Sequence, residues 1–371
     1  MFKYIYSTFI FFMLLCISCT SEDETKITTD EFSNQIGNSE IAAIIKENIS
    51  NFPDNTQVSI ALIDNAETEY IGVVRNGDTF EIIENENSIF EIGSITKVFT
   101  SILLSDLIEK NEATLNETLQ SQFDFTIKEG GNIKLEQLAN HTSGLPRLPT
   151  NYESVDYDEQ DPFANYTSDL LNSYLENYAV LNNVTGSEFE YSNLGIGLLG
   201  HILSKKTGKT YEDFIQETIF KPLNMNASTT LLSNVNTTSL VKGLNANGAE
   251  IPNWNFTNAT VGAGGIKSSV VDLEKFVRKN FEDTTVYNLP QQPTYEVTND
   301  YGIGLGWQII KDDTFTILLH DGSTGGYTSM LSLDKNNKRA VIVLSNVSGV
   351  STQAENISTL NLALLANLSG V

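Results

Sequence analysis

The chain has 371 residues, 40% of them hydrophobic and 19% charged, a balance that suits a folded, core-forming protein and excludes a disordered one. Its 22 Lys and Arg against 47 Asp and Glu give a formal charge of −25, which repels phosphate backbones and argues against a nucleic-acid partner. The length is ordinary for one large α/β enzyme.

Residues 1–18 read as an export signal: Lys3 precedes an apolar run, Ile5 to Ile17, that is too short for a membrane span. The run meets Ser18 and Cys19, the pattern of a bacterial lipoprotein, so Cys19 is the expected lipidation site. Cys16 stands where Leu is usual, and a plain cleaved signal is the alternative. Cys16 and Cys19 are the only cysteines, so the body is expected to lack disulfides, cysteine nucleophiles and Cys-ligated metals. His141, His201 and His320 are too scattered to suggest a metal site, and no cofactor is expected. Residues 19–37 are polar and acidic and read as a flexible tether, with the folded domain covering 38–371.

Within that domain a short helix is expected from Asn38 to Asn48, then strands Gln57 to Asp64 and Glu69 to Arg75. Asn76-Gly77 is a hairpin signal into a third strand, Thr79 to Ile83. A buried amphipathic helix begins near Ser94, with Ile95, Val98, Phe99, Ile102 and Leu103 at helical spacing. Helical pieces follow at Leu135 to Ala139, Ser168 to Tyr178, Leu194 to Lys206 and Tyr211 to Phe220. Strands return at Gly306 to Lys311, Thr314 to His320, Tyr327 to Leu333 and Arg339 to Ser345, before a helix from Thr352 to Leu368. Strands at both ends and helices between imply an α/β (α+β) fold. One antiparallel sheet is built from both termini and flanked by helices, with an inserted all-α lobe over roughly 94–265.

Ser94 and Lys97 lie one helical turn apart, a hydroxyl at a helix start with an amine on the same face. The pair alone also reads as a capping hydroxyl and a solvated lysine. Two further motifs bear on it: Tyr191-Ser192-Asn193 before a helix, and His320-Asp321-Gly322 at the end of a strand.

In the order S-x-x-K, Y-x-N, then a basic residue-x-Gly, the chain resembles the serine β-lactamase and penicillin-recognising hydrolase superfamily. The likeness is to its class C-like branch of D-alanyl-D-alanine carboxypeptidases, D-aminopeptidases and esterases. Leu135 to Pro146 (LEQLANHTSGLP), Phe189 to Met225 and the GAGGIKSSVVDLEKF segment extend the resemblance over nearly the whole domain. It implies Ser94 as nucleophile and acyl carrier, with Lys97 and Tyr191 sharing the proton transfer. Lys97's charge would favour phenolate at Tyr191, and burial among positive groups would ease deprotonation of Lys97. Asn193 would orient Lys97 and substrate, and the backbone N–H groups of Ser94 and Ser323 would form the oxyanion hole. Gly322, Gly325 and Gly326 would leave room for substrate along the strand edge.

The penicillin-destroying members usually carry Lys-Thr-Gly where this chain has His320-Asp321-Gly322. An inward, ionised Asp321 would repel a substrate carboxylate, so a neutral ester, a blocked peptide or a substrate with a free amine is expected. Glu112 to Asn116 imitates a class A water-activating loop and reads as a surface turn. The expected protein is an envelope lipoprotein hydrolase, facing the periplasm or cell surface, acting on a small ester, peptide or cell-wall-type substrate. A class C-like β-lactamase and a non-catalytic cell-wall or glycan-binding lipoprotein are the alternatives. Oligomeric state is not legible.

Overall fold

The structure is a computed structural model that describes residues 31–152, 157–312 and 314–370. The export signal and Cys19 lie outside these residues. The helices are α1 (Glu31–Ile36), α2 (Ser39–Ile49), α3 (Thr96–Glu109), α4 (Leu135–Ala139), α5 (Ser168–Ser173), α6 (Asn193–Thr207) and α7 (Tyr211–Ile215). After them come α8 (Val270–Asn280), α9 (Thr285–Asn288) and α10 (Glu355–Ser369). The N-terminal strands are β1 (Thr56–Asp64), β2 (Glu67–Asn76), β3 (Thr79–Ile83) and β4 (Phe90–Glu91). Short strands β5 (Gly243–Leu244), β6 (Glu250–Ile251) and β7 (Lys267–Ser268) lie in the middle. They precede β8 (Tyr295–Glu296), β9 (Tyr301–Ile303), β10 (Gln308–Lys311), β11 (Thr316–Ser323), β12 (Thr328–Asp334) and β13 (Arg339–Ser345).

Nine strands form one sheet in the order β3-β2-β1-β13-β12-β11-β10-β9-β8. The two ends of the chain meet at β1 and β13, antiparallel from Val58 opposite Ser345 to Asp64 opposite Arg339. Alternation along β13 sends Val341 and Val343 to one face and Ala340, Ile342 and Leu344 to the other. The first face is covered by α2 and α10 through Ile41, Ile45, Ile357 and Leu360. The second carries the larger core, with α3, α6 and α8 over it. Both faces are therefore apolar, and β13 reads as a nearly continuous hydrophobic run, whereas β12 buries Thr328, Ser329, Ser332 and Asp334 among its apolar residues.

Helix α3 departs from the amphipathic expectation. Thr96 to Ser105 is buried without interruption, polar residues included, because α6 and the turn Val261–Ala263 cover the side turned away from the sheet. Thr100 Oγ1 donates to Gly262 O at 2.7 Å, and Phe99 stacks on Phe276 of α8 at 3.9 Å. The expected tether to residue 37 also needs correction. Glu31–Ile36 is a helix, Phe32 is buried against Phe80 at 5.7 Å, and Gly37 at φ +75° ends the turn. Phe32 and Ile36, four apart, put an apolar face on an otherwise acidic stretch.

Candidate active site

The chain enters α3 through Gly93, at φ +49°, and a tight turn of 3-10 type over Gly93–Ile95. A Cβ on Gly93 would lie 2.6 Å from Ser323 N, so only glycine lets this turn press against the end of β11. A Cβ on Gly322 would lie 2.0 Å from Ile92 O, and Ser329 Oγ donates to that same carbonyl at 3.0 Å. These contacts bring Ser94 beside Ser323 across a backbone-to-backbone seam.

Ser94 is half-buried on the turn and Lys97 is fully buried one turn on. Lys97 Nζ lies 2.8 Å from Ser94 Oγ and donates to Ala263 O at 2.6 Å. Burial holds the Lys97 amine well below the usual lysine range, the Arg147 guanidinium lowers it further, and Asp321 opposes both. Asn193, at the head of α6, is half-buried and makes no side-chain hydrogen bond among the described residues. Ala263, a backbone group with no side-chain signal in the sequence, holds Lys97 instead.

Tyr191 precedes α6, whose cap is Ser192: its Oγ accepts from Gly195 N at 2.9 Å and donates to Pro146 O at 2.7 Å. The Tyr191 ring has Lys97 Nζ 4.9 Å from its centroid and Arg147 Cζ at 5.1 Å. His141 stacks on it at 4.5 Å, and the His320 ring is 6.4 Å away. Burial pushes the phenol up, Asp321 adds to this, and Ser94 and Arg147 pull the other way. The expected bias towards phenolate is therefore outweighed by desolvation.

His141 sits in the HTSGLP turn at φ +60°, and its Nδ1 accepts from Ser192 N at 3.1 Å. Its Nε2 is buried without a partner among the described residues. Burial and nearby Lys97 hold it well below the usual histidine range, so it is a neutral wall behind Tyr191. The sequence carries no sign of this contact between His141 and the site. Arg147, exposed in the structure, was missed altogether, since nothing in the sequence places its guanidinium over the Tyr191 ring. His201 packs on Phe123 at 6.5 Å, away from this group.

Strand β11 runs on through Ser323, so His320-Asp321-Gly322 lies inside the strand and not at its end. Strand β10 accompanies β11 only as far as Leu319. From His320 to Ser323 the strand pairs with β12 on one side and, among the described residues, with nothing on the other. His320 is buried, and its Nδ1 donates to Asp321 O at 2.6 Å. Burial lowers His320 to about 4, with Lys97 reinforcing and Asp321 opposing, so the ring is neutral at pH 7. Asp321 is exposed, reached by Gln308 Nε2 at 3.4 Å.

Two loops close the far end. Asn255 donates from N and Nδ2 to the two oxygens of Asp161, each at 2.7 Å. Phe163 meets Phe256 at 4.8 Å and Trp254 at 5.4 Å. Behind them Glu91, opposite Lys267 in the β4–β7 pair, accepts from Trp254 N at 2.8 Å, and Lys267 donates to Trp254 O at 3.0 Å. Glu112 is exposed in a surface turn, as its sequence context predicts.

A half-exposed hydroxyl beside a buried amine, a half-buried phenol and a free strand edge is an arrangement suited to acyl transfer. The Beta-lactamase family pattern matches residues 45–364. The chain is 28% identical to a beta-lactamase of Escherichia coli (strain K12) over 235 residues, which is 61% of this chain and 58% of that protein. It is 24% identical to Protein flp of Staphylococcus aureus (strain NCTC 8325 / PS 47) over 273 residues, 70% of this chain and 53% of that one. It thus spans little more than half the length of these curated relatives. Among solved structures, a beta-lactamase/D-alanine carboxypeptidase from Yersinia pestis complexed with citrate superposes with a TM-score of 0.72 at 22% identity, covering 89% of this chain and 98% of that one. A class C beta-lactamase from Rhodobacter sphaeroides gives 0.71 at 20% identity, with 89% and 99% covered. These two likenesses concern the fold. The family pattern spans most of the chain: this protein belongs to the beta-lactamase family of serine hydrolases.

Proposed function

We propose that the protein is an exported, lipid-anchored hydrolase that forms an acyl-enzyme on Ser94 and cleaves an ester or amide, of the esterase or D-amino-acid peptidase type. The observation that carries this reading is the 2.8 Å approach of Ser94 Oγ to Lys97 Nζ, a fully buried amine made less basic by its surroundings. A neutral Lys97 accepts the Ser94 proton as the hydroxyl attacks the carbonyl. Tyr191, kept protonated by burial, donates to the leaving oxygen or nitrogen. The N–H groups of Ser94 and Ser323 receive the charge that develops on the carbonyl oxygen. Water then attacks the acyl group, with Lys97 and Tyr191 exchanging roles.

The open edge from His320 to Ser323 gives an extended substrate room to lie alongside β11. His320 is neutral at pH 7, and exposed Asp321 adds a negative charge near that edge. Both disfavour a substrate carboxylate at the strand, which supports a neutral ester, a blocked peptide or a free amine there. A β-lactam is the second reading, favoured by the relative named beta-lactamase. Attachment at Cys19 would place the hydrolase at the bacterial envelope. Radiolabelled palmitate incorporated by the wild type and lost in Cys19→Ala is the expected result, and equal labelling of both would remove the anchor.

A panel of short esters, D-amino-acid peptides and nitrocefin, with Ser94→Ala as control, tests the activity. The expected result is ester or D-peptide turnover abolished in Ser94→Ala. Nitrocefin turnover matching the best ester would move the assignment to β-lactamase.

A further inference from the structure

We infer that Arg147 is the receptor for a negatively charged group of the substrate, so that the preferred ester or amide carries a carboxylate or similar anion on the Tyr191 side of the cleft. This inference rests on the acyl-Ser94 reading and specifies its substrate class.

The chain contains four arginines. Arg75 pairs with Asp54 at 2.6 Å, Arg278 with Glu274 at 2.6 Å and Arg339 with Asp64 at 3.1 Å. Arg147 is the fourth, and among the described residues its guanidinium has neither a carboxylate partner nor a side-chain hydrogen bond. In a chain with 47 acidic residues this is not for lack of partners. The unpaired arginine is the one that stands in the candidate active site.

The Arg147 side chain is exposed, and its backbone is held in place. Arg147 O accepts from Leu194 N at 3.1 Å, and the preceding Pro146 O accepts from Ser192 Oγ at 2.7 Å. Both bonds tie residue 147 to the start of α6, the segment that carries Tyr191. The guanidinium carbon lies 5.1 Å from the Tyr191 ring centroid. A planar guanidinium against a ring keeps its N–H groups directed outward in its own plane, where they match the two oxygens of a carboxylate. Its field reaches Lys97, Tyr191 and His141, so a group bound to it is within electrostatic range of the reacting atoms.

Two consequences follow from the charges. Asp321 repels an anion at the β11 edge and Arg147, over the Tyr191 ring, attracts one, so a singly anionic substrate is oriented before it reacts. Arg147 also lowers the basicity of Lys97. A bound carboxylate offsets that effect, so the rising pH limb of an anionic ester should lie above that of its neutral counterpart.

The test compares p-nitrophenyl hemisuccinate with p-nitrophenyl butyrate, and an acetyl ester of glycolic acid with that of methyl glycolate, in wild type, Arg147→Gln and Arg147→Lys. The expected result is a loss of about 10- to 100-fold in kcat/KM on one anionic ester in Arg147→Gln, the worth of a charge-assisted bond. Compared on the pH-independent plateau of each variant, where the shift in Lys97 no longer contributes, the matched neutral ester should lose far less than the anionic one, and Arg147→Lys should fall between. Equal loss on anionic and neutral esters, or no loss on either anion, would overturn the inference. Calorimetric binding of succinate to Ser94→Ala, with and without Arg147→Gln, reads anion recognition without turnover. There, identical affinities overturn the inference. Wild-type ester turnover that survives in Ser94→Ala counts instead against the nucleophile.

Discussion

Gly93→Ala perturbs the seam between nucleophile and strand and little else. The added methyl would lie 2.6 Å from Ser323 N, 2.9 Å from its oxygen and 3.0 Å from its carbonyl carbon, where ordinary contact is 3.4–4 Å. Neither side yields cheaply, since β11 is laddered to β12 and the turn is held by Ser329 on Ile92 O. The left-handed backbone costs an alanine about 1 kcal/mol, and the overlap adds about 1–3 kcal/mol. Relief by separating the two backbones pulls the N–H groups of Ser94 and Ser323 apart, and losing one such donor costs about 10²–10³ in rate. Gly208→Ala is the control, with φ +68° and nothing within 4 Å of the new methyl. Thermal unfolding and kcat on a short ester should show Gly208→Ala losing about 1 kcal/mol at unchanged kcat. Gly93→Ala should lose more stability and at least about a hundredfold in kcat. Indistinguishable kcat values in the two variants would refute the oxyanion geometry.

Lys97→Met should slow acylation by about 10²–10⁴, measured by single-turnover ester cleavage. Because Lys97 works as the neutral amine, the rising limb of kcat/KM against pH should lie well below the ordinary lysine range. Arg147→Gln, removing a lowering charge, should move that limb to higher pH. His141→Leu leaves the Ser192 N–H without its acceptor and Tyr191 without its stacked ring. It should cost about 1–3 kcal/mol in denaturant unfolding and reduce kcat more than it raises KM. Lys267→Met leaves the buried carbonyls of Trp254 and Gly265 without their donor and should cost about 1–3 kcal/mol in denaturant unfolding.

Much of the frame was legible because local pattern and tertiary role agree. Arg339–Ser345 and Leu135–Ala139 fall where their sequence places them, and Asn76-Gly77 turns β2 into β3. Helix α8 was legible too: Ser269 caps Asp272 N at 3.3 Å, and Val270, Leu273, Phe276 and Val277 form its buried face. Reading that segment only as a family motif passed over its helical spacing. Other features had no local signal. The buried polar face of α3 depends on α6 and on Gly262, some hundred or more residues away. The extension of β11 to Ser323 arises from its ladder with β12, since His-Asp-Gly has little strand preference of its own. Of the site, Ser94, Lys97, Tyr191 and His320 are brought together as their order implied. Ala263 acts through a carbonyl and Arg147 through a position that only folding gives it.

The most direct measurement is intact-mass and peptide-mapping analysis of the protein stopped during ester turnover or after a fluorophosphonate probe. A single adduct on the peptide containing Ser94, absent from Ser94→Ala and formed far more slowly in Lys97→Met, is the predicted result. An adduct on another residue, or equal labelling of Ser94→Ala, would contradict acylation at Ser94.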